Sequence, residues 1–313
     1  MKKLISILIL GLILLGFIFQ KQITTHLKIS LFITEEFPQI PFKPLTLLTE
    51  NPLQTKVEFE TKNGKVVADL FTPIASSPYP GVILAMGVKL SEKDKPLILH
   101  FGKTMARLGY VTFWPRLEVL DKGQSLPEEV ETFIEAFKYL EERTDRISFI
   151  GFSVGSSTAL VAAADPEIAD RVHSVVFFGG YFDIFDYLLA LDKKSEWKPH
   201  IDAINHAKTL LAAKGIATQS AKLADSQDAT RLKKYSPKEY ITDFKGKIFI
   251  LHDKSDTYVP YTESTKLYEA MPKDQIAAYH ISDLFEHVQP NRPINIGELV
   301  KLYGFLYKVF NQL

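Results

Sequence analysis

The fold of this 313-residue chain is decided by the stretch Ile147-Ser148-Phe149-Ile150-Gly151-Phe152-Ser153-Val154-Gly155. Its first four residues, three of which are apolar, are predicted to form a strand. The next five fit the pattern G-x-S-x-G and precede a helical stretch rich in serine and alanine. A serine at a tight strand-to-helix turn is held in a strained conformation, so flanking glycines are needed to avoid backbone clashes. The stretch therefore predicts a nucleophile elbow at Ser153; the alternative is a glycine-rich turn whose serine only caps a helix.

Strand and helix signals alternate on both sides of this elbow. The Asn63-Gly64 dipeptide, the strongest short hairpin signal, separates two β-type segments at 56–61 and 65–71. Further strands are predicted at 81–86, 110–114, 172–178, 247–251 and 277–281, with helices at 97–108, from 125 onward and at 294–310. Such βαβ alternation favours parallel strands joined by right-handed crossovers. The expected fold class is therefore α/β, with a mostly parallel central sheet and helices on both faces.

Changes in composition suggest the domain organisation. Prolines interrupt residues 23–55 at Pro38, Pro41, Pro44 and Pro52. This pattern resists a long helix and indicates a connector that leads to a folded domain at 56–311. Within that domain, residues from about 181 to 235 are charged and alanine-rich and lack a buried-strand signal. They are predicted to form an inserted helical cap.

The N-terminus carries the features of a membrane segment. Lys2 and Lys3 precede an uncharged run, Leu4 to Phe19, whose only polar residue is Ser6. As a helix this run rises about 24 Å, slightly less than the roughly 30 Å hydrocarbon core of a bilayer. No small-x-small cleavage site follows it, so an uncleaved anchor at residues 1–22 is favoured over a secretory signal peptide. The two lysines predict a cytoplasmic N-terminus and an extracytoplasmic domain, although lysines beyond the run weaken the charge asymmetry.

Composition argues against several function classes. The sequence has 37 basic and 37 acidic residues, so neither net charge nor a basic stripe would attract nucleic acid. It contains no cysteine, which excludes disulfides, a thiol nucleophile and cysteine-ligated zinc. His200 and His206 are spaced so that they do not share one helix face, and no H-E-x-x-H run occurs. We therefore expect no metal, no cofactor and no nucleic-acid partner, while the oligomeric state stays open.

A serine hydroxyl needs a base to take its proton and an acidic residue to orient that base. His287 follows the predicted strand at 277–281, and Asp256 follows the strand at 247–251. Side chains in these two loops reach the sheet edge at which the elbow lies, and the chain order Ser, acid, His is the one this architecture imposes. Ser153, Asp256 and His287 are therefore the predicted catalytic residues, with Asp253 as the alternative acid.

The acid loop carries a family resemblance. Residues His252 to Pro260 read H-D-K-S-D-T-Y-V-P, which is similar to the pattern H-G-x-x-D-x-x-V-P of α/β-hydrolases. With the G-x-S-x-G elbow, residues 56–311 resemble the α/β-hydrolase superfamily, in particular its dienelactone-hydrolase-like and serine-aminopeptidase-like branches. The resemblance implies an α/β-hydrolase fold and a Ser-His-Asp triad. Asp253 stands where the family has a turn glycine, so the resemblance favours Asp256 as the acid.

Backbone amides are expected to bind the oxyanion that forms when the serine attacks a carbonyl. The amide of Val154, at the start of the helix after the elbow, is the first expected donor. Families of this kind often carry a His-Gly pair after the strand at 81–86, where this chain reads Met86-Gly87-Val88. Since the donors are backbone amides, the missing histidine does not abolish the hole. The second donor is expected at Gly87 or Val88.

These residues together favour two-step acyl transfer to water. Aromatic residues early in the cap, Phe182, Phe185 and Tyr187, suit either core packing or an apolar acyl pocket. A neutral chain of this kind fits a small carboxylic ester better than a highly charged substrate. The expected partners are a small-molecule ester or peptide substrate and, through the N-terminal segment, a membrane. A peptidase or amidase with the same triad, an acyltransferase and a non-catalytic membrane-tethered binding module remain alternatives.

Overall fold

The computed structural model describes residues 19–74, 78–87, 94–117, 128–184, 186–187 and 233–313. Within these ranges one sheet contains eight strands: β1 Leu53–Thr61, β2 Gly64–Thr72, β3 Gly81–Ala85, β4 Val111–Pro115, β5 Ile147–Phe152, β6 Val172–Phe178, β7 Lys247–Asp253 and β8 Ile276–Ser282. Their order across the sheet is β1-β2-β4-β3-β5-β6-β7-β8. Strand β2 is antiparallel to both of its neighbours, and β3 to β8 are parallel to one another. The predicted α/β fold class with a mostly parallel sheet is confirmed.

The antiparallel edge begins with the predicted hairpin. Thr61 pairs with Gly64 at the end of the β1–β2 ladder, so Lys62 and Asn63 form its turn. Gly64 has a φ of 112°, a conformation that glycine adopts without the steric cost a side chain would bring. Asn63 is thus the second residue of the turn and Gly64 is the first residue of β2, which explains the Asn-Gly pattern in the sequence.

Helices cover both faces of the sheet: α1 Gln20–Glu36, α2 Pro44–Leu48, α3 Asp94–Arg107, α4 Glu128–Glu141, α5 Val154–Ala163, α6 Tyr261–Ala270 and α7 Ile296–Gln312. One apolar cluster joins α4, α5 and α6 to the sheet and includes Leu160. A second cluster joins α1, α2, α3 and α7 to the opposite face and includes Phe305. Along β3, Ile83 belongs to the first cluster, and Val82 and Leu84 belong to the second. Because the central strands are buried on both faces, their sequences are largely apolar, and Gly81–Ala85 is continuously so.

Helix α1 corrects one expectation drawn from the sequence. The prolines of residues 23–55 predict that no long helix forms there, but α1 is a 17-residue helix. Pro38 follows this helix, and Pro44 lies in the first turn of α2. Backbone amides in a first turn have no acceptor within the helix, so a proline there removes no helical hydrogen bond. Ile29 is fully buried, and the ring of His26 lies 2.8 Å from a tyrosine hydroxyl of α7. The first half of the expected connector is thus packed against the domain, which the proline pattern did not reveal.

Three predictions fall largely outside the described ranges. These ranges lack residues 1–18, which include nearly all of the predicted membrane segment, and also most of the predicted cap at 181–235. They also lack Ser125, the predicted start of the helix that is observed as α4. Among the helices that are described, none combines the length and the apolar composition needed to cross a bilayer.

Candidate active site

Ser153 lies at the tip of the turn between β5 and α5. Its backbone angles are φ 55° and ψ −138°, so its φ is in the left-handed range that L-residues rarely adopt. The conformation is held by the backbone amide of Ser153, which donates to Phe178 O at the end of the adjacent strand β6 over 2.8 Å. The turn therefore directs this serine away from the strand at the carboxyl edge of the sheet.

The two glycines of the elbow are required by the closeness of its backbone. A Cβ at position 151 would overlap the Cα of Ser156, and a Cβ at position 155 would overlap the carbonyl oxygens of Ala85 and Met86. At both positions the nearest atoms belong to the backbone, which cannot move aside as a flexible side chain could. The G-x-S-x-G pattern thus reflects the tight packing of α5 against β5 and the end of β3.

Asp256 and His287 are in direct contact. Asp256 lies in the loop after β7, His287 lies in the loop after β8, and Asp256 Oδ2 is 2.6 Å from His287 Nδ1. The other carboxylate oxygen, Oδ1, accepts hydrogen bonds from the backbone amides of Tyr258 and Val259 at 2.7 and 2.9 Å. The carboxylate is therefore fixed in orientation, and it holds the Nδ1–H tautomer of the imidazole.

The charge state of Asp256 is set by two opposing effects. Burial by itself raises the pKa of this carboxyl group, because a low-dielectric environment disfavours its charge. Hydrogen bonds from His252 and His287 outweigh burial, and the pKa falls well below its usual range. Asp256 is therefore ionised at neutral pH.

His252 is a second histidine in contact with the same carboxylate. It is fully buried, with Nε2 3.0 Å from Val259 O and 3.3 Å from Asp256 Oδ2, while Nδ1 is 2.6 Å from Ser264 Oγ. A carbonyl oxygen only accepts, so in the neutral ring Nε2 carries the hydrogen and Nδ1 accepts from Ser264. The position of His252 four residues before Asp256, in the motif H-x-x-x-D, was the available sequence signal for this contact.

Gly179 links the serine elbow to the imidazole. The residue before it, Phe178, accepts the backbone hydrogen bond from Ser153, and a Cβ at position 179 would lie 3.6 Å from His287 Cε1. Within the described residues His287 forms hydrogen bonds through its backbone amide and Nδ1, and the Ser153 hydroxyl forms none. A direct Oγ to Nε2 bond is therefore not formed here. Such bonds are often long in unliganded enzymes and tighten with substrate.

Gly87 is the predicted oxyanion donor that the structure brings to the elbow. A Cβ at position 87 would be 2.8 Å from Ser153 Cβ and 3.2 Å from Ser153 Oγ, so the backbone after β3 lies against the serine. Val154, the other predicted donor, occupies the first position of α5. Val88 lies outside the described residues. The backbone after β3 and the first residue of α5 thus both lie next to the serine, where oxyanion-hole donors are needed.

The backbone of His287 is strained. Residues 286–289 form a tight turn in which Glu286 and Gln289 exchange backbone hydrogen bonds of 2.8 and 3.1 Å. His287 is the first residue inside this turn and has a φ of 57°, a conformation that costs a non-glycine residue roughly 1–2 kcal/mol. Its amide donates to Asp253 Oδ2 over 3.0 Å. A hydrogen bond to a charged acceptor contributes about 1.5–3 kcal/mol, enough to offset that strain.

Asp253, the alternative acid of the sequence analysis, contacts the backbone of His287 and not its ring. The imidazole nitrogen Nδ1 is bound by Asp256. Geometry therefore favours Asp256 as the orienting acid. The contact between Asp253 and the base loop was missed in the sequence, where only the departure from the family's glycine marked the position.

The start of the predicted cap lies beside this site. Tyr181, Val154 and Val259 form a small buried cluster, against which Ile184 and Tyr187 pack. The rings of Tyr181 and Tyr187 stack with their centroids 5.1 Å apart. The site is therefore bordered by an apolar, aromatic wall next to the first turn of α5.

Solved structures with similar architecture include a 2,6-dihydroxy-pseudo-oxynicotine hydrolase, with a TM-score of 0.58 and 18% identity over 83% of this chain and 68% of that one. An esterase from Pyrococcus furiosus gives a TM-score of 0.57 and 17% identity over 85% of this chain and 92% of its own. The chain has the α/β-hydrolase fold. An acylaminoacyl peptidase from Pyrococcus horikoshii shares that hydrolase fold with a TM-score of 0.58 and 15% identity over 86% of this chain.

This hydrolase-fold chain spans 43% of the peptidase's length, less than half of that larger protein. No protein-family model matches its sequence, and no curated protein matches it either. The similarities therefore support the fold alone.

Proposed function

We propose that this protein is a serine hydrolase that cleaves a carboxylic ester through a covalent acyl-enzyme. The observation that carries the proposal is the 2.6 Å contact between Asp256 Oδ2 and His287 Nδ1, next to a serine held in a strained elbow. An orienting carboxylate, a base and a projecting hydroxyl at one sheet edge are the parts that nucleophilic acyl transfer needs.

The reaction begins when His287 Nε2 takes the proton of Ser153 as its Oγ attacks the substrate carbonyl. The imidazole becomes positively charged, and the ionised Asp256 stabilises it through Nδ1–H. The carbonyl oxygen becomes an oxyanion, for which the backbone amides of Val154 and of Gly87 or Val88 are the proposed donors. His287 then returns the proton to the leaving alcohol, and the same base activates water to release the acid.

Two features support an ester with an apolar acyl group. The aromatic wall formed by Tyr181 and Tyr187 borders the first turn of α5, where the acyl group is expected to lie. The chain also has equal numbers of acidic and basic residues, so no overall field selects a charged substrate. An amide or peptide is the second candidate, because one similar fold belongs to an acylaminoacyl peptidase.

Labelling with a fluorophosphonate probe tests the mechanism. The wild type is expected to be labelled, whereas Ser153→Ala and His287→Ala are expected not to be. Ser30→Ala is the matched control, because in the part of the chain that the structure describes the Ser30 hydroxyl bonds only to His26 O in the preceding turn of α1. Labelling that persists in Ser153→Ala, or a folded wild type that is never labelled, would refute the proposal.

A panel of substrates tests the ester assignment. We expect p-nitrophenyl esters of two to eight carbons to be hydrolysed faster than matched p-nitroanilides and aminoacyl amides, with a preference that depends on chain length. Faster cleavage of the amides would identify a peptidase or amidase with the same triad.

We further propose that residues 1–22 anchor the protein in a membrane, with the hydrolase domain outside the cytoplasm. The support is the uncharged run from Leu4 to Phe19 behind two lysines. The full chain is expected in carbonate-washed membranes, and external protease is expected to digest its domain. Recovery of the full chain in the soluble fraction would contradict the proposal.

A further inference from the structure

Asp253 is a buried carboxylate that the proposed triad does not use. It is the last residue of β7 and has no exposed surface. Its Oδ1 accepts from the amide of Ser255 over 3.0 Å, and its Oδ2 accepts from the amide of His287 over 3.0 Å. Arg292 donates to the same Oδ2 over 3.2 Å. One carboxylate thus joins the loop that carries Asp256 to the loop that carries His287.

The base loop needs such a support because of its backbone. His287 occupies the first position of a tight turn, where positive φ usually calls for glycine. A glycine would supply the backbone but no imidazole. The backbone amide of His287 donates to Asp253. Asp253 is held in turn by the pairing of β7 with β8, in which it lies opposite Ser282. The strained residue is therefore fixed to the end of a paired strand of the central sheet.

The same loop is held at a second point. Arg292 pairs with Asp253, and the side-chain amide of Gln39, which follows α1, donates to Pro290 O and Arg292 O at 2.7 and 2.8 Å. The backbone on the far side of His287 is therefore held between the strand end and the α1–α2 segment. Its freedom to move away from Ser153 is limited from both directions.

We propose that Asp253 is a positioning residue whose carboxylate fixes the backbone of His287 and so directs the imidazole toward both Asp256 and Ser153. This inference rests on the proposed function. The two aspartates act on different parts of the same residue, because Asp256 orients the ring through Nδ1 and Asp253 orients the backbone that carries the ring. A glycine at position 253, as in the resembled family, has no side chain to do this.

Replacing Asp253 by glycine and by asparagine tests the proposal. In Asp253→Gly the amide of His287 loses its acceptor, and we expect kcat for an aryl ester to fall by about 10- to 100-fold, because misplacement by about 1 Å costs on that order. KM should change less than about twofold, since Asp253 does not face the substrate. In Asp253→Asn one oxygen can still accept from His287, so that variant should retain most of the wild-type kcat. A loss of kcat in a folded Asp253→Asn as large as the one expected for glycine would overturn the proposal even if the glycine variant folds poorly.

Asp69→Asn is the matched control. Asp69 is also a fully buried carboxylate paired with an arginine, Arg116, but it lies on β2, three strands from the elbow strand β5 in the sheet order. The Asp69→Asn variant should have a lower melting temperature, as Asp253→Asn should, and its kcat should stay within about twofold of the wild-type value. A proton NMR signal from His287 Nδ1–H, shared with Asp256, should be present in the wild type and in Asp69→Asn and be shifted or broadened in Asp253→Gly.

The outcomes separate the positioning role from the proposed function. Retention of wild-type kcat and of the Nδ1–H signal by Asp253→Gly overturns the positioning role, and so does an equal loss of kcat in Asp69→Asn. Turnover or labelling that survives Ser153→Ala overturns the proposed function instead, whatever the Asp253 variants do.

Discussion

Replacing Asp256 by asparagine separates catalysis from folding in this site. Asparagine has the shape of aspartate, and its Oδ1 can still accept from the amides of Tyr258 and Val259. Its NH₂ group, however, would face His287 Nδ1 across 2.6 Å. If Nδ1 kept its hydrogen, two N–H donors would face each other with no acceptor between them. The imidazole must then move its hydrogen to Nε2, the nitrogen that should receive the serine proton.

The expected loss of kcat follows from this change in the tautomer of His287. A base in the wrong tautomer reduces kcat by about 10³- to 10⁴-fold, which corresponds to about 4–5.5 kcal/mol of activation free energy. The hydrogen bond from His252 is lost, and the one with His287 is reversed in direction and no longer involves a charged acceptor, so the unfolding free energy is expected to fall by about 1–3 kcal/mol. A domain with a stability of about 5–15 kcal/mol remains folded after that loss, so unfolding does not account for the rate.

The assay measures aryl-ester hydrolysis and the rate of fluorophosphonate labelling beside a urea denaturation curve. Asp69→Asn serves as the control for amidation of a buried carboxylate, since it lies on β2. An Asp256→Asn protein that is folded and retains more than about one tenth of the wild-type kcat would refute the assignment of Asp256 as the orienting acid.

Two further predictions follow from contacts and charge at the same sheet edge. Gly155→Ala introduces a Cβ that overlaps the carbonyls of Ala85 and Met86. The unfolding free energy should therefore fall by at least about 1–3 kcal/mol, and labelling of Ser153 should slow. An unchanged denaturation midpoint would contradict this prediction. The pKa of Asp256 is lowered by folding, so its charge stabilises the fold above its unfolded pKa of about 4 and that contribution is lost as pH falls below it. Denaturation midpoints should therefore fall more steeply below pH about 4 in the wild type than in Asp256→Asn, and parallel curves would show that this charge does not stabilise the fold.

The elements around the site were predictable because their signals are local. The elbow needs a strand, a glycine-flanked serine and a helix within a few residues, and the hairpin needs only Asn63-Gly64 between alternating segments. The positions of Asp256 and His287 follow from the rule that loops after parallel strands meet at one sheet edge. Whether their side chains touch is decided by loop conformation, which residue spacing does not encode.

Helix α1 was not predictable because its stability comes from tertiary packing. Its hydroxyl side chains, such as those of Thr25 and Ser30, bond to carbonyls of the preceding turn, and this chemistry is neutral or unfavourable for an isolated helix. Burial of Ile29 against the core compensates. The contact between Asp253 and His287 joins residues 34 positions apart, so no local pattern identifies it.

Among the described non-glycine residues, Ser153 and His287 alone have positive φ. In the proposed mechanism these are also the two residues that exchange a proton. A glycine at either position would relieve the backbone and, on that mechanism, remove the nucleophile or the base, so selection for stability alone would favour losing these two side chains. Two side chains kept at strained positions are therefore what a trade of stability for activity would produce.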